Sequence, residues 1–325
     1  MSDTTEFSEA KRALLEKYLR KELSQTAIDT ITRRVPASSA PLSSISSRSP
    51  LMGVQTGGSK QPFFYFHPHW QGGAFYCFTL ARDLGSDQPF YILDPYRFDG
   101  LKVPPTIEEM AADYIKSLRS VQPQGPYLLG GFCGAGLIAF EVAQQLCAAG
   151  QAVDLLVLLD PMAGSIQLIR LIGSFIRHIG SLIRLGPDKQ LDWFLRIRYV
   201  SRVLQRKRDE YTQHVDQLMQ RWRDEHPQRF SLIPASEALR QDWFGLFIWA
   251  TSGYVPRQYP GKMTYFFARE NPDGRRLWWG KVTETEEVEI HTIPGTHETC
   301  RTEYLHNLAE QLRMCLSEAE RAALR

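Results

Sequence analysis

Seven residues constrain this chain more than any others: Gly130-Gly131-Phe132-Cys133-Gly134-Ala135-Gly136, four of them glycine. They join the apolar run Pro126-Tyr127-Leu128-Leu129 to an amphipathic stretch from Leu137 to Ala149. A short apolar run before a turn reads as a buried strand, and the stretch after it as a helix. Small residues are needed between the two because the bent backbone packs closely on both flanking elements. The order strand, tight turn, helix displays the residue at the tip, which is Cys133. Serine is the usual residue at the tip of such a turn; here it is a thiol.

The rest of the chain is that of an ordinary folded protein. Of its 325 residues 43% are hydrophobic and 23% charged, within the range of globular domains. A net charge of +2 gives no global signal for nucleic acid. No stretch approaches the roughly 20 apolar residues of a membrane span, and MSDTTEFSEAKRALLEKY carries no signal-peptide core. The five cysteines (77, 133, 147, 300 and 315) lack metal-binding spacing. An odd, sparse set of this kind fits free thiols, a reducing cytoplasmic compartment and no metal site.

Residues 1–34 read as a short leader helix, with Leu14, Leu15, Tyr18, Leu19 and Ile28 near helical period. It is either a plain amphipathic leader or an element that addresses a partner enzyme. Residues 35–61, with SSAPLSSISSRSP at their centre, have the composition of a linker. From 62 to 325 short apolar strands alternate with helices: strands at 62–66, 90–93, 126–129, 155–159, 263–268 and 288–293, and helices at 75–84, 106–121 and 306–318. Thr106 with Glu109 three residues on opens the second of these helices as a capping box. The alternation predicts an α/β protein with a mostly parallel, doubly wound sheet.

The interval 163–250 breaks the rhythm. It reads as helices at 165–185, 189–216 and 235–250, a helical lid inserted over the strand ends. Thirteen Lys/Arg face seven Asp/Glu between 165 and 230, which makes the insert basic. That charge is either a solvated face or an attraction for an acidic partner. On the first of these helices Arg170, Arg177 and Arg184 share one face, and Leu168, Ile172, Phe175, Ile179 and Leu182 line another. Such a helix either packs on the body as part of the lid or, as a basic amphipathic helix, lies on a membrane surface.

A cysteine at a helix start is often only a small core residue, so other residues must support Cys133. Asp160 ends the apolar strand Leu155–Leu159, and the C-terminal ends of such strands are where an α/β sheet places functional groups. His297 lies in Ile293-Pro294-Gly295-Thr296-His297-Glu298, a loop after the last strand. The chain order is nucleophile, acid, base. In this reading Cys133 attacks a carbonyl, His297 takes the thiol proton, and Asp160 orients the imidazole. Glu270 and Asp273 are the alternative acids. Two backbone N–H groups are expected to receive the oxyanion. Gly134 supplies one; the other comes from His67-Pro68-His69-Trp70. Pro68 has no N–H, which leaves His69, then Trp70. His67 reads as a turn residue packed beneath this loop, and the stretch Trp243 to Tyr254 as aromatic packing for the lid.

PFFYFHP, GGAFYCFTLARDLG, PYLLGGFCGAGLIAFEVAQQL, DLLVLLDP and IPGTHETC resemble the thioesterase domains of nonribosomal peptide and polyketide synthases, over about residues 50–320. The resemblance implies an α/β-hydrolase fold with a mobile helical lid. It implies no bound cofactor, and a substrate presented as a thioester on the phosphopantetheine arm of an acyl or peptidyl carrier protein. No carrier is legible in the chain, so the acyl group is expected in trans or from an adjacent module. The sequence departs from the family pattern at Cys133, where Ser is commoner, and at Ala135, where Gly is usual. Release by hydrolysis, cyclisation or transfer to an amine or alcohol is the first reading. An editing thioesterase that clears misacylated carriers is the second, and a non-catalytic binding module the third.

Overall fold

The computed structural model describes residues 50–69, 74–161, 167–211, 234–270 and 288–323. The expected leader helix and residues 35–49 of the expected linker lie outside them. The chain divides into two compact units. Of the described residues, the first comprises those up to Arg97, from Met110 to Pro161 and from Pro256 onward, and the second comprises Phe98–Glu109 and those from Gln167 to Val255.

The first unit is built on a seven-stranded sheet in the order β1-β3-β2-β4-β5-β6-β7. The strands are β1 (Leu51–Gln55), β2 (Phe63–Phe66), β3 (Phe90–Leu93), β4 (Tyr127–Phe132), β5 (Val153–Leu159), β6 (Met263–Ala268) and β7 (Val288–Ile293). Neighbours run parallel from β3 to β7. The helices of this unit are α1 (Phe75–Leu84), most of α2 (Ile107–Arg119, whose first turn belongs to the second unit), α3 (Ala135–Ala148) and the closing α8 (Leu305–Ala323). Strands covered on both faces must be apolar at every position, and β2 and β4 are buried throughout. Thr106 and Glu109 do form a reciprocal box at the start of α2: the Thr106 N–H donates to Glu109 Oε2 at 2.8 Å, and the Glu109 N–H to Thr106 Oγ1 at 3.2 Å.

β1 was not expected. It lies within the stretch read as linker, and it pairs antiparallel with β3, Leu51 opposite Leu93. Its composition carries no strand signal, and only one neighbour and a partly buried face hold it there. An edge strand of this kind is defined by the pairing partner rather than by its own sequence.

The second unit is helical: α4 (Gln167–Leu182), α5 (Pro187–Tyr211), α6 (Ser236–Leu239) and α7 (Trp243–Ser252). The expected single helix at 235–250 is broken at Asp242. That residue caps α7 by accepting the Gly245 N–H at 3.0 Å, and it also holds Arg198 at 2.9 Å and Arg202 at 3.1 Å. α7 is the core of the unit, with Leu246, Phe247, Ile248 and Trp249 buried.

α4 packs on α7 through Arg170 and Arg177, while part of its apolar face stays exposed. Arg170 donates to the carbonyls of Thr251 and Tyr254, each at 3.2 Å. Arg177 donates to the Trp249 carbonyl at 2.9 Å and to Ser252 Oγ at 3.2 Å, and its guanidinium stacks over the Trp249 ring at 4.0 Å. Phe175 and Leu182 of the apolar face are exposed. The arginines win the inward position because they satisfy carbonyls at the C-terminal end of α7, which an aliphatic side chain would leave unpaired. Of the three arginines, only Arg184 remains exposed.

Candidate active site

The parallel strands deliver their C-terminal ends to one edge of the sheet, and the candidate residues follow those ends directly. Cys133 comes one residue after β4, Asp160 one after β5, and His297 four after β7. Cys133 has φ +53°, in the left-handed region that costs an ordinary residue on the order of 1–3 kcal/mol. The surroundings hold it there. Its N–H donates to the Leu159 carbonyl at 2.9 Å, and its carbonyl accepts the Gly136 N–H at 3.2 Å. The glycines are required by contact: a Cβ on Gly131 would lie 2.7 Å from the Gly136 Cα. This is the strained strand-to-helix turn that the glycine spacing predicts.

Asp160 is also left-handed, at φ +39°, and is buried. Its N–H bonds the Phe266 carbonyl at 2.6 Å, and its Oδ1 accepts the Ala268 N–H at 3.3 Å. The remaining oxygen, Oδ2, meets His297 Nδ1 in a short hydrogen bond. With Nδ1 committed to Asp160, Nε2 is the nitrogen left for Cys133. The His297 ring packs on Phe132, centroids 4.7 Å apart. Burial works against its charge, yet hydrogen bonds to Asp160 and Cys133 and the charges of both raise its pKa to about 9. The Cys133 side chain thus faces an imidazole that keeps its proton at neutral pH.

Glu270 is exposed on the turn after β6, where its N–H bonds the Gly295 carbonyl; Asp160 takes the position against His297 in its place. Asp273 and Trp70 lie outside the described residues. His67 is buried as expected, with Nε2 on Asp94 Oδ1 at 3.0 Å. Its Nδ1 accepts the His69 N–H at 3.3 Å, so the backbone donor expected to face the oxyanion is turned into the His67 ring. The His69 ring is bonded through Nε2 to Arg301 at 3.0 Å. Sequence reading missed Arg301, whose only signal is its place four residues after His297. Gly134 directly follows Cys133 and caps α3.

The other thiols are poor nucleophiles. Burial pushes Cys300 and Cys315 up to about 12, and raises Cys77 and Cys147. Cys300 lies beside the candidate site and donates to the His297 carbonyl at 3.3 Å. Glu289, His291 and Cys315 bring donor atoms within 4.8 Å of one another, but Glu289 is already shared between Lys262 and His291, each at 2.8 Å.

A mostly parallel sheet with a strained cysteine turn, an aspartate and a histidine at its carboxyl edge defines the chain as an α/β-hydrolase-fold protein. Residues 61–168 match the family model of the thioesterase domain. Over these residues the chain is similar to a thioesterase domain, and the relatives it matches include nonribosomal peptide and polyketide synthases. It is 41% identical over 120 residues to a dimodular nonribosomal peptide synthase of Bacillus subtilis, covering 36% of this chain and 5% of the relative. It is 34% identical over 110 residues to a non-reducing polyketide synthase of Pseudevernia furfuracea, covering 33% and 5%. The chain thus corresponds to a small fraction of these relatives' length. Among solved structures, the NocB thioesterase domain of the nocardicin cluster superposes with a TM-score of 0.52 at 21% identity, over 82% of this chain and 98% of that one. A four-domain nonribosomal peptide synthetase bound to AMP and glycine gives the same score and identity over 82% and 20%. Among the described residues no helix is long and apolar enough to cross a membrane.

Proposed function

We propose that this chain takes an acyl, peptidyl or polyketide chain from a carrier protein's phosphopantetheine thioester onto Cys133. It then releases that chain by hydrolysis, cyclisation or transfer to an amine or alcohol. The observation that carries the reading is the line of three side chains: Cys133 at a left-handed turn, His297 raised to about 9, and Asp160 fixing its Nδ1.

The Cys133 thiolate adds to the thioester carbonyl, and the C=O electron pair moves to oxygen. When the tetrahedral species collapses, the carbon–sulfur bond to pantetheine breaks, and the departing thiolate takes a proton from the His297 imidazolium. His297, now neutral at Nε2, removes a proton from the incoming water, alcohol or amine. Asp160 holds one tautomer throughout and stabilises the charged ring. Because donor and acyl-enzyme are both thioesters, acyl transfer to Cys133 is nearly thermoneutral. A serine would instead give a less activated oxoester. The thiol keeps the chain activated for attack by an amine or for ring closure.

Intact mass spectrometry after incubation with acyl-pantetheine thioesters tests this. An adduct on the wild type that is absent from Cys133→Ala is the expected result. Turnover that survives Cys133→Ala would exclude the mechanism. Cys133→Ser is expected to acylate still, and to shift products toward hydrolysis or stall as the oxoester.

A further inference from the structure

The loop after β2 does not offer its backbone to the oxyanion in the way expected. The His69 N–H is bonded to His67 Nδ1 at 3.3 Å, and His67 is itself anchored on Asp94 at 3.0 Å. The ring of His69 is differently placed. Its Nε2 lies 3.0 Å from an N–H of Arg301, and a guanidinium only donates. Nε2 must therefore be the acceptor, which puts the ring proton on Nδ1.

Arg301 is well held for this task. Its side chain is 14% exposed and ion-paired with Glu298. Its guanidinium stacks at 5.6 Å over Tyr76 and at 5.7 Å over Phe132, the residue before Cys133. The His69 ring stands edge-on to Tyr76 at 5.9 Å, and Tyr76 in turn stands edge-on to Phe132 at 6.3 Å. Arg301 thus joins the loop after β2, the end of β4 and the turn that carries His297. Burial first, then the charges of Arg301, His67 and His297, lower His69 to about 3. His69 is close enough to His297 to feel its charge, and from about pH 3 to about pH 9 it is neutral while His297 is protonated. A neutral imidazole N–H beside a reacting carbonyl can act as an electrophile without adding a competing acid.

We propose that the second oxyanion donor is the ring Nδ1–H of His69, beside the Gly134 N–H, and that Arg301 is the positioning residue that confines the proton to that nitrogen. This rests on the reading of Cys133 as the acylated thiol. Negative charge developing on the substrate oxygen is met by a donor whose tautomer is set before the substrate arrives, so no reorganisation is needed during the step.

Asparagine and glutamine separate the two ring nitrogens, because the Asn amide reproduces Nδ1–H and the Gln amide reproduces Nε2. Acylation by an acyl-pantetheine thioester is measured by mass spectrometry, beside alkylation of Cys133 by iodoacetamide, which needs the thiolate but no oxyanion. His69→Asn is expected to acylate within about 10-fold of wild type. His69→Gln and His69→Ala should lose about 10²–10³-fold, the scale of one oxyanion donor. All three should alkylate at the wild-type rate. Arg301→Met should slow acylation about 10-fold with alkylation unchanged, Arg301→Lys should restore most of it, and Arg301→Met should add nothing on top of His69→Gln. Equal acylation by the His69 variants, or a parallel loss of acylation and alkylation, would overturn the inference. A wild type that forms no adduct at Cys133 would instead overturn the reading beneath it.

Discussion

Asp160 and His297 are 137 residues apart in sequence and meet through Oδ2 and Nδ1. The aspartate brings no side-chain freedom to this contact. It sits in a left-handed backbone conformation between two hydrogen bonds to β6, through its own N–H to Phe266 and from the Ala268 N–H to Oδ1. The imidazole is thus oriented by the sheet, and its far nitrogen is left for the thiol.

Asp160→Asn removes the charge that holds His297 protonated and favours the wrong tautomer. Acylation should fall by up to about 10⁴-fold, as when the aspartate of a serine triad is replaced. Alkylation of Cys133 by iodoacetamide near neutral pH should fall as well, since less thiolate is paired. Rates measured across pH check both.

The raised pKa of His297 makes a stability prediction. A group that binds its proton more tightly in the folded state stabilises that state fully below its unfolded pKa near 6.5. The contribution is lost as pH rises through about 9. Urea unfolding midpoints of wild type should therefore fall between pH 6.5 and 9 relative to His297→Gln. A constant difference between the two over that window would contradict the assignment.

Gly131→Ala places a Cβ 2.7 Å from the Gly136 Cα, against backbone on a packed helix that cannot give way cheaply. The expected cost is about 1–3 kcal/mol. It is read from denaturant unfolding, with lost acylation because the turn carrying Cys133 must shift.

Arg177→Met removes two hydrogen bonds to α7 and a cation stacked on Trp249. The helical unit should lose about 2–3 kcal/mol, from the bonds and the cation–π contact combined. Limited proteolysis should then cut first within 167–255. Arg184→Glu, at an exposed position, should leave the cleavage pattern unchanged.

What could be read along the chain was what short-range rules govern. Phe75–Leu84, Phe90–Leu93, Met263–Ala268 and Val288–Ile293 form where apolar runs and helical periods place them. The Thr106–Glu109 box closes because both partners lie within one turn. The glycine spacing around Cys133 was legible for the same reason: one bent backbone and its immediate neighbours set it.

The tertiary structure decided what depends on a distant partner. It made β1 a strand by giving residues 51–55 an edge to pair with. It packed α4 on α7 through Arg170 and Arg177, whose guanidinium groups donate to carbonyls at the end of α7. It took the His69 N–H into the His67 ring and set Arg301 against the His69 imidazole across 232 residues of chain. Periodicity records which positions are apolar, but a polar side chain's orientation follows from which unpaired group the fold brings within reach. The cysteine at the tip of the turn was therefore plain in the sequence, while the donors and charges around it became visible only once the strand ends stood side by side.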